Sequence, residues 1–422
     1  LTPVGAYRGY GMPESTFVRE RLIDEICRIG GFDSETIRLA NLVTADEMPY
    51  FNRLHGRLDS GDYPRAFNRA LELLPEPERD QGDGKLRVRA AVPYAEMTAV
   101  GPTQWMQRVG FRQGGYETSV VEVAPDGSVT VRTGVCSQGQ GHETVFAQIV
   151  ADRLGLGIDD VRVIQGDTQE VPYSDMGTIA SRGLTLAGGA AMRASEAVRE
   201  RLIAVTAHQL EASPADMELV DGRVQVRGAP SAFRSIPDIA KSVWLGWDLP
   251  ADVEPGALIE RCLFDPPEQT ISYATHCYQL AVDPELGTIE VEKIVVVHDC
   301  GVVVNPMLVE GQTHGGLAQG IGESLLESLH YDSSGQPLTI TFKDYLMPLS
   351  ETIPDVVYEH FETPAPHIPG GFKGTGEGGT ITGPAAIASG LARLFPEASP
   401  HLLSTDMSPR RVWEVLQKAA DH

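Results

Sequence analysis

One arrangement occurs twice in this sequence and constrains the fold more than any other feature. Residues Thr118 to Val123 alternate apolar and polar, turn through Ala124-Pro125-Asp126-Gly127, and return over Ser128 to Thr133. Alternation of period two on both sides of such a turn predicts a β-hairpin. A glycine-rich loop follows, then a helix from His142 to Leu154 with apolar Val145, Phe146, Ile149, Val150 and Leu154. The pattern recurs at Thr270 to Val282 and Thr288 to Val297, turning through Asp283-Pro284-Glu285-Leu286-Gly287. Asn305-Pro306 then opens a helix through about Leu326. Two modules of hairpin, glycine-bearing loop and helix predict an α+β chain of two lobes. Their glycine-rich loops face each other across a cleft.

Other segments read more simply. Pro13-Glu14 starts a helix whose apolar positions are Phe17, Leu22, Ile26 and Ile29, ending at Gly30-Gly31. Asp33 or Ser34 caps a short helix through Leu42, and a helix covers Tyr63 to Leu74. Strand-like alternation follows at Leu86 to Ala90 and at Leu338 to Thr341. A long helix covers about Ala190 to Leu210, and two more cover about Pro384 to Leu394 and Pro409 to Lys418.

The chain has 422 residues, enough for two or three compact units and a sizeable core. A formal net charge of -24 argues against nucleic acid and anionic membranes, which would repel this surface. No apolar run approaches the ~18 residues needed to span a bilayer. Cys27, Cys136, Cys262, Cys277 and Cys300 include no C-x-x-C pair, so neither a zinc ribbon nor an iron–sulfur signature is present. Scattered thiols suit a reducing, cytoplasmic setting. The sequence opens at Leu1 and reads as though it begins mid-protein or at a subunit boundary.

Five stretches could carry chemistry. In Gly370 to Gly379 six of ten residues are glycine, and Glu377 sits among them. We read Glu377 as a general base in a loop that approaches a ligand closely; a surface turn with a solvated glutamate explains the same composition. In Ala6-Tyr7-Arg8-Gly9-Tyr10-Gly11 an arginine between tyrosines can meet an anion or oxygen while the rings stack on a planar substrate. The alternative is a surface arginine in a turn.

Ser137-Gln138-Gly139-Gln140-Gly141-His142-Glu143-Thr144 follows a strand and opens a helix, a geometry that binds anions. It lacks the Lys-Ser/Thr of a phosphate-binding P-loop and the G-x-G-x-x-G spacing of a dinucleotide fingerprint. His142 reads more simply as a helix-start residue than as a metal ligand. Gly177-Thr178-Ile179-Ala180-Ser181-Arg182-Gly183 could bind phosphate or be an ordinary capped loop. In Gly311-Gln312, Gly315-Gly316 and Gln319-Gly320, glycines inside a helix imply close packing against another backbone or a ligand.

Taken in order, A-Y-R-G-Y-G-x-P-E, Q-G-Q-G-H-E-T, G-T-x-A-S-R, D-C-G-x-x-x-N-P-x-x-x-x-G-Q and G-x-G-E-G-G resemble the molybdenum hydroxylases of the xanthine oxidase family. The resemblance runs from about residue 5 to about residue 418. It is to the second molybdopterin-binding domain of the large catalytic subunit, the type shared by aldehyde oxidase, xanthine dehydrogenase, the carbon monoxide dehydrogenase large chain and split-subunit nicotinate dehydrogenase. It implies that residues 1–422 form one molybdopterin-binding domain, two lobes of mixed sheets with flanking helices built from discontinuous segments.

The resemblance also implies a cofactor, molybdenum with molybdopterin, in the cytosine dinucleotide form common in bacteria. It implies no metal ligand from protein side chains. Glu377 matches the glutamate beside the metal, the base on the metal's hydroxyl, and Arg8 the active-site arginine that orients substrate. Tyr7 and Tyr10 match its flanking aromatics in the substrate pocket. Gly139, Gln140, Gly141, His142, Thr178, Ala180, Ser181, Arg182, Gln312 and Gly376 fall on cofactor-binding motifs.

The implied reaction is oxidation of an N-heterocycle or aldehyde carbon, with water as the oxygen source. Electrons then pass to an iron–sulfur subunit and a flavin subunit, which carry the Fe–S clusters and FAD. A further chain would carry the first molybdopterin domain, and the enzyme would be active only with these partners. Carbon monoxide dehydrogenases of the family carry cysteine directly after the loop arginine, whereas Gly9 stands here. The alternatives are a carbon monoxide dehydrogenase-like oxidoreductase or a non-catalytic, cofactor-carrying subunit.

Overall fold

The computed structural model describes residues 5–53 and 56–420. Both hairpins form where the alternation puts them. Glu117–Val123 pairs with Val129–Thr133, and Thr270–Asp283 with Thr288–Asp299, each antiparallel. Each hairpin grows into a four-stranded mixed sheet by the same rule. In the shorter sheet Val161–Ile164 adds parallel to Val129–Thr133, and in the longer sheet Val356–Phe361 adds parallel to Thr288–Asp299. A parallel neighbour needs a crossover. The helices His142–Leu154 and Pro306–Leu325 lie within those two connections. The antiparallel strands Ile259–Phe264 and Leu86–Thr98 complete the two sheets on the other side.

Each sheet has its own core. Val121, Val131, Phe146, Val150, Val198 and Leu202 are fully buried between the shorter sheet and the helices His142–Leu154 and Gly189–Gln209. The longer sheet is covered on both faces. Val92, Leu280, Ile294 and Val296 pack with Leu317 of the helix Pro306–Leu325 and Leu391 of the helix Gly383–Leu394. Val295 and Val297 face Phe67 and Tyr63 of the helix Tyr63–Leu73. Burial on both faces is why Ile294 to Val297 reads as an unbroken apolar run.

Four expectations need correction. Leu338 to Thr341 is irregular rather than a strand. The strand expected over Leu86 to Ala90 continues to Thr98, because its far end also pairs with Thr270–Asp283. Ile259–Phe264 and Val356–Phe361 had not been expected as strands. The first helix, Met12–Gly30, has the expected bounds but the opposite buried face. Leu22, Ile26 and Ile29 are 55 to 75% exposed, while Glu20, Arg21 and Asp24 are buried. Arg38 meets Glu20 at 2.7 Å and Asp24 at 2.8 Å, and Arg21 meets Asp24 at 2.7 Å, so the buried charges are paired.

Candidate active site

The loop 370–380 is anchored before it reaches the site. The Lys373 N–H donates to Cys300 O at 2.8 Å. The Lys373 side chain is 1% exposed; its ammonium donates to Ser60 O at 3.3 Å and Thr363 Oγ1 at 3.4 Å. Burial pulls its pKa down, and Asp59 and Asp299 oppose that. Beyond it the backbone is wedged between elements. A Cβ on Gly378 would collide with the Tyr94 hydroxyl, and one on Gly379 would lie 2.5 Å from Thr313 O. On the facing helix a Cβ on Gly316 would lie 2.6 Å from Gly379 Cα. These glycines therefore serve close protein–protein packing, which the glycines within the helix had suggested as one of two explanations.

That packing brings the 5–11 loop onto Glu377. The Gly9 N–H donates to Glu377 Oε1 at 3.0 Å, and Thr380 Oγ1 donates to Arg8 O at 3.2 Å. The Arg8 guanidinium donates from Nε to Gly376 O at 2.5 Å, from Nη1 to Gln319 Oε1 at 2.9 Å, and from Nη2 to Gln312 O at 2.9 Å. A weaker bond reaches Gln312 Oε1 at 3.3 Å. Gln312 and Gln319 are seven residues apart and so share one helix face. Gln319 Nε2 also donates to Tyr7 OH at 2.6 Å. Burial lowers the pKa of Arg8, against the pull of Glu377 and Glu96. Arg8 thus ties together the loop 5–11, the helix Pro306–Leu325 and the segment that bears Glu377. Tyr7 and Tyr10 are 54 and 77% exposed.

The two loops of the shorter sheet are knitted together. Thr178 Oγ1 accepts from the Cys136 N–H at 2.9 Å and donates to Cys136 O at 2.7 Å; Gln138 Nε2 donates to Thr178 O at 3.1 Å. Gln140 Oε1 accepts from the Gln138 N–H at 2.5 Å, and its amide nitrogen lies 3.3 Å from His142 Nε2. His142 is buried against Phe146 and beneath Gly183, and burial lowers its pKa, which keeps the ring neutral. Gly139 stands open, with nothing within 4 Å of where a Cβ would lie. Ala180 and Ser181 both adopt left-handed backbone conformations, at φ 49° and 51°. Non-glycine residues held there carry strain and cluster at ligand-binding loops.

Arg182, expected among the cofactor-binding residues, points inward instead. It is fully buried, paired with the buried Glu117, and donates to the carbonyls of Val100, Gly177 and Gly115. With Nε, Nη1 and Nη2 all bonded to protein, its side chain fixes the 177–183 loop from within. Ser181 turns the other way, into the site. Its hydroxyl accepts from the Glu377 N–H at 3.1 Å and lies 3.5 Å from Glu377 Oε2. It is 2.7 Å from Oε1 of Glu96, a residue not singled out in the sequence. Burial lifts the Glu96 carboxyl to about 8; the Glu377 charge adds to this, while Ser181, Ser272 and Arg8 oppose it. The one signal for Glu96 in the chain is an acidic residue between Tyr94 and Thr98 on one face of a buried strand.

Among the described residues, no group of three or more His, Cys, Asp or Glu could hold a metal ion. The open backbone at Gly139 and the carboxamides of Gln138 and Gln140 fit a pterin cofactor. The helix His142–Leu154 starts at Gly141 with no side-chain cap, so its first N–H groups are available to an anion. The segment that begins at Gly183 also starts without a side-chain cap, beside the strained Ala180-Ser181 pair.

Comparison with known proteins agrees with this geometry. Two models, each described as a molybdopterin cofactor-binding domain, match residues 1–42 and 72–354. The chain is 35% identical over 97% of its length to the large subunit of nicotine 6-hydroxylase of Paenarthrobacter nicotinovorans, covering 50% of that protein. It is 30% identical over 98% of its length to the carbon monoxide dehydrogenase large chain of Hydrogenophaga pseudoflava, covering 52% of it. Quinoline 2-oxidoreductase from Pseudomonas putida 86 superposes with a TM-score of 0.90 at 33% identity, over 99% of this chain and 53% of that one. The fold is that of a molybdopterin-binding domain. The chain belongs to that family, within the large subunits of the xanthine oxidase class of molybdenum hydroxylases. It spans about half the length of the curated relatives it matches.

Proposed function

We propose that this chain carries the base-bearing half of a molybdenum hydroxylase site that oxidises a carbon of an N-heterocycle, with water as the oxygen source. The observation that carries this is the setting of Glu377. It is a half-buried carboxylate held at Oε1 by the Gly9 N–H and flanked at Oε2 by the Ser181 hydroxyl, in a loop wedged against the helix Pro306–Leu325. The molybdenum–pterin cofactor, when bound, supplies the redox chemistry, taking two electrons from the substrate carbon.

The residues of this chain do the rest. Glu377 takes the proton released as the oxygen attacks carbon, and its two anchors keep it aimed. Arg8 holds Gly376, Gln312 and Gln319 in register, and one of its Nη1 protons remains free for a substrate oxygen. Tyr7 and Tyr10 offer exposed rings to a planar substrate. Gly139, Gln140, Gly141, Thr178, Ala180, Ser181 and Gln312 hold the pterin, proposed as the cytosine dinucleotide, through backbone and carboxamide groups. His142 supports that surface from beneath.

An N-heterocycle is favoured over an aldehyde because relatives at 35 and 33% identity are named for nicotine and quinoline. The aldehyde oxidoreductase structures reach only 19 to 22% identity and bear on fold alone. The copper-dependent carbon monoxide reading has a steric objection. Gly9 has φ 101°, and a side chain there would meet Pro13 Cδ and Thr380 Oγ1, both at 2.9 Å.

The partners are a chain bearing the other molybdopterin domain, an iron–sulfur subunit and a flavin subunit. No helix among the described residues is long and apolar enough to cross a membrane. All five cysteines are free, in keeping with the reducing, cytoplasmic setting proposed for the chain. Co-purification of the native complex, metal analysis and a screen of N-heterocycles and aldehydes with an artificial electron acceptor test the proposal. Molybdenum with N-heterocycle turnover is expected. A complex without molybdenum overturns it.

A further inference from the structure

Glu96 lies behind the base and has no place in the reaction above. It is 1% exposed, on the strand Leu86–Thr98. Ser181 links it to Glu377, at 2.7 Å from Glu96 Oε1 and 3.5 Å from Glu377 Oε2. A hydroxyl has one proton and two lone pairs. One lone pair of Ser181 already accepts the Glu377 N–H. Its single proton can go to Glu96 or to Glu377, but not to both.

The state of Glu96 decides which. When Glu96 carries a proton, its O–H can fill the second lone pair of Ser181, and the serine proton turns to Glu377 Oε2. When Glu96 is ionised, the serine proton is drawn to the buried charge, and Glu377 Oε2 loses its donor. We propose that Glu96 is a positioning residue for Glu377, a neutral buried acid that sets the direction of the Ser181 hydroxyl and so the orientation of the base. This rests on Glu377 being the base.

The surroundings of Glu96 favour the neutral form. Among the described residues it receives, besides Ser181, one hydrogen bond, from Ser272 Oγ at 3.3 Å. A Cβ on Gly378 would lie 3.1 Å from its Oε2, so the Glu377 loop seals it from solvent. The charged and titratable groups facing it are Glu377, Arg8 and Tyr94, with His276 behind the Tyr94 ring at 5.2 Å. Burial and Glu377 push its pKa up and Arg8 pulls it down, with the balance at about 8.

The test uses the holoenzyme complex. In the wild type, kcat/KM is expected to fall as pH rises through about 8, as Glu96 ionises. Glu96→Gln, an uncharged isostere, should lose that alkaline limb. Ser181→Ala should lose about tenfold in kcat/KM at neutral pH, the equivalent of one hydrogen bond to a charged group, and should flatten the same limb. Infrared spectroscopy gives a readout independent of turnover. The carbonyl stretch of a protonated carboxylic acid should be present at neutral pH, disappear above the limb, and be absent in Glu96→Gln. Retention of the limb in Glu96→Gln, or absence of the band from the wild type, overturns the proposal. An active Glu377→Gln enzyme overturns the base and the positioning role together. An inactive Glu377→Gln beside an unchanged limb in Glu96→Gln removes Glu96 alone.

Discussion

The backbone N–H of Gly9 donates to Oε1 of Glu377 at 3.0 Å, joining residues 368 apart in the chain. This bond links the loop 5–11 to Glu377, and Arg8 ties the same loop to Gln312 and Gln319 of the helix Pro306–Leu325.

Glu377→Gln keeps an acceptor for Gly9 and removes the proton-accepting oxygen. Turnover is expected to drop by at least ~10²-fold, the usual scale of a general base, with cofactor content unchanged. Metal analysis beside a rate measurement checks this. Near-normal turnover would show that the base lies elsewhere.

Gly9→Cys introduces a side chain into space held by Pro13 and Thr380, at a φ of 101°. A loss of about 1–3 kcal/mol in stability is expected from the strain, together with reduced activity, because the donor to Glu377 shifts. Chemical denaturation and a rate measurement with and without added copper check both. Carbon monoxide oxidation by this variant would contradict the steric argument.

Arg182→Ala leaves Glu117 buried without its partner. A cost of about 3–5 kcal/mol is expected, as for other broken buried pairs. The double variant with Glu117→Ala should recover part of it. Urea unfolding of the single and double variants measures the coupling. A small single-variant effect with weakened cofactor retention would return Arg182 to the binding surface.

His276 is fully buried against Thr382, and burial lowers its pKa to about 3. The unfolded chain takes up this proton below the ordinary histidine value of about 6.5, whereas the folded chain stays neutral until about 3. Its contribution to stability is therefore complete above the unfolded value and is lost as pH falls from about 6.5 toward about 3, by at most ~1.4 kcal/mol per pH unit. Unfolding free energies across that range, compared with His276→Gln, test this. An equal slope in the variant assigns the acid loss to other groups.

Much of the fold was legible because its signals are local. Hairpin alternation, the turn at Asp126-Gly127 and the helix that starts at His142 follow from neighbouring residues. The face of the first helix was not legible. Leu22, Ile26 and Ile29 look like a core stripe, and only the pairing of Glu20 and Asp24 with Arg38, a neighbour brought in by the fold, buries the charged side. The parallel edge strand Val356–Phe361 was missed for a similar reason: its pairing is with a strand that ends 57 residues earlier, and its own pattern is weak.

The site divides in the same way. The sequence by itself determined which loops are candidates and which residue is the candidate base, because glycine density, carboxamides and an isolated carboxylate are properties of short stretches. Only the tertiary structure decided how they act. It turned Arg182 inward onto Glu117, tied Arg8 to Gln312 and Gln319, and set Glu96 behind Glu377 through Ser181. The physical reason is that burial and hydrogen-bond partners set the charge and direction of a polar side chain, and both are supplied by segments distant in the chain, 65 residues away for Arg182, 85 for Ser181 and 304 for Arg8.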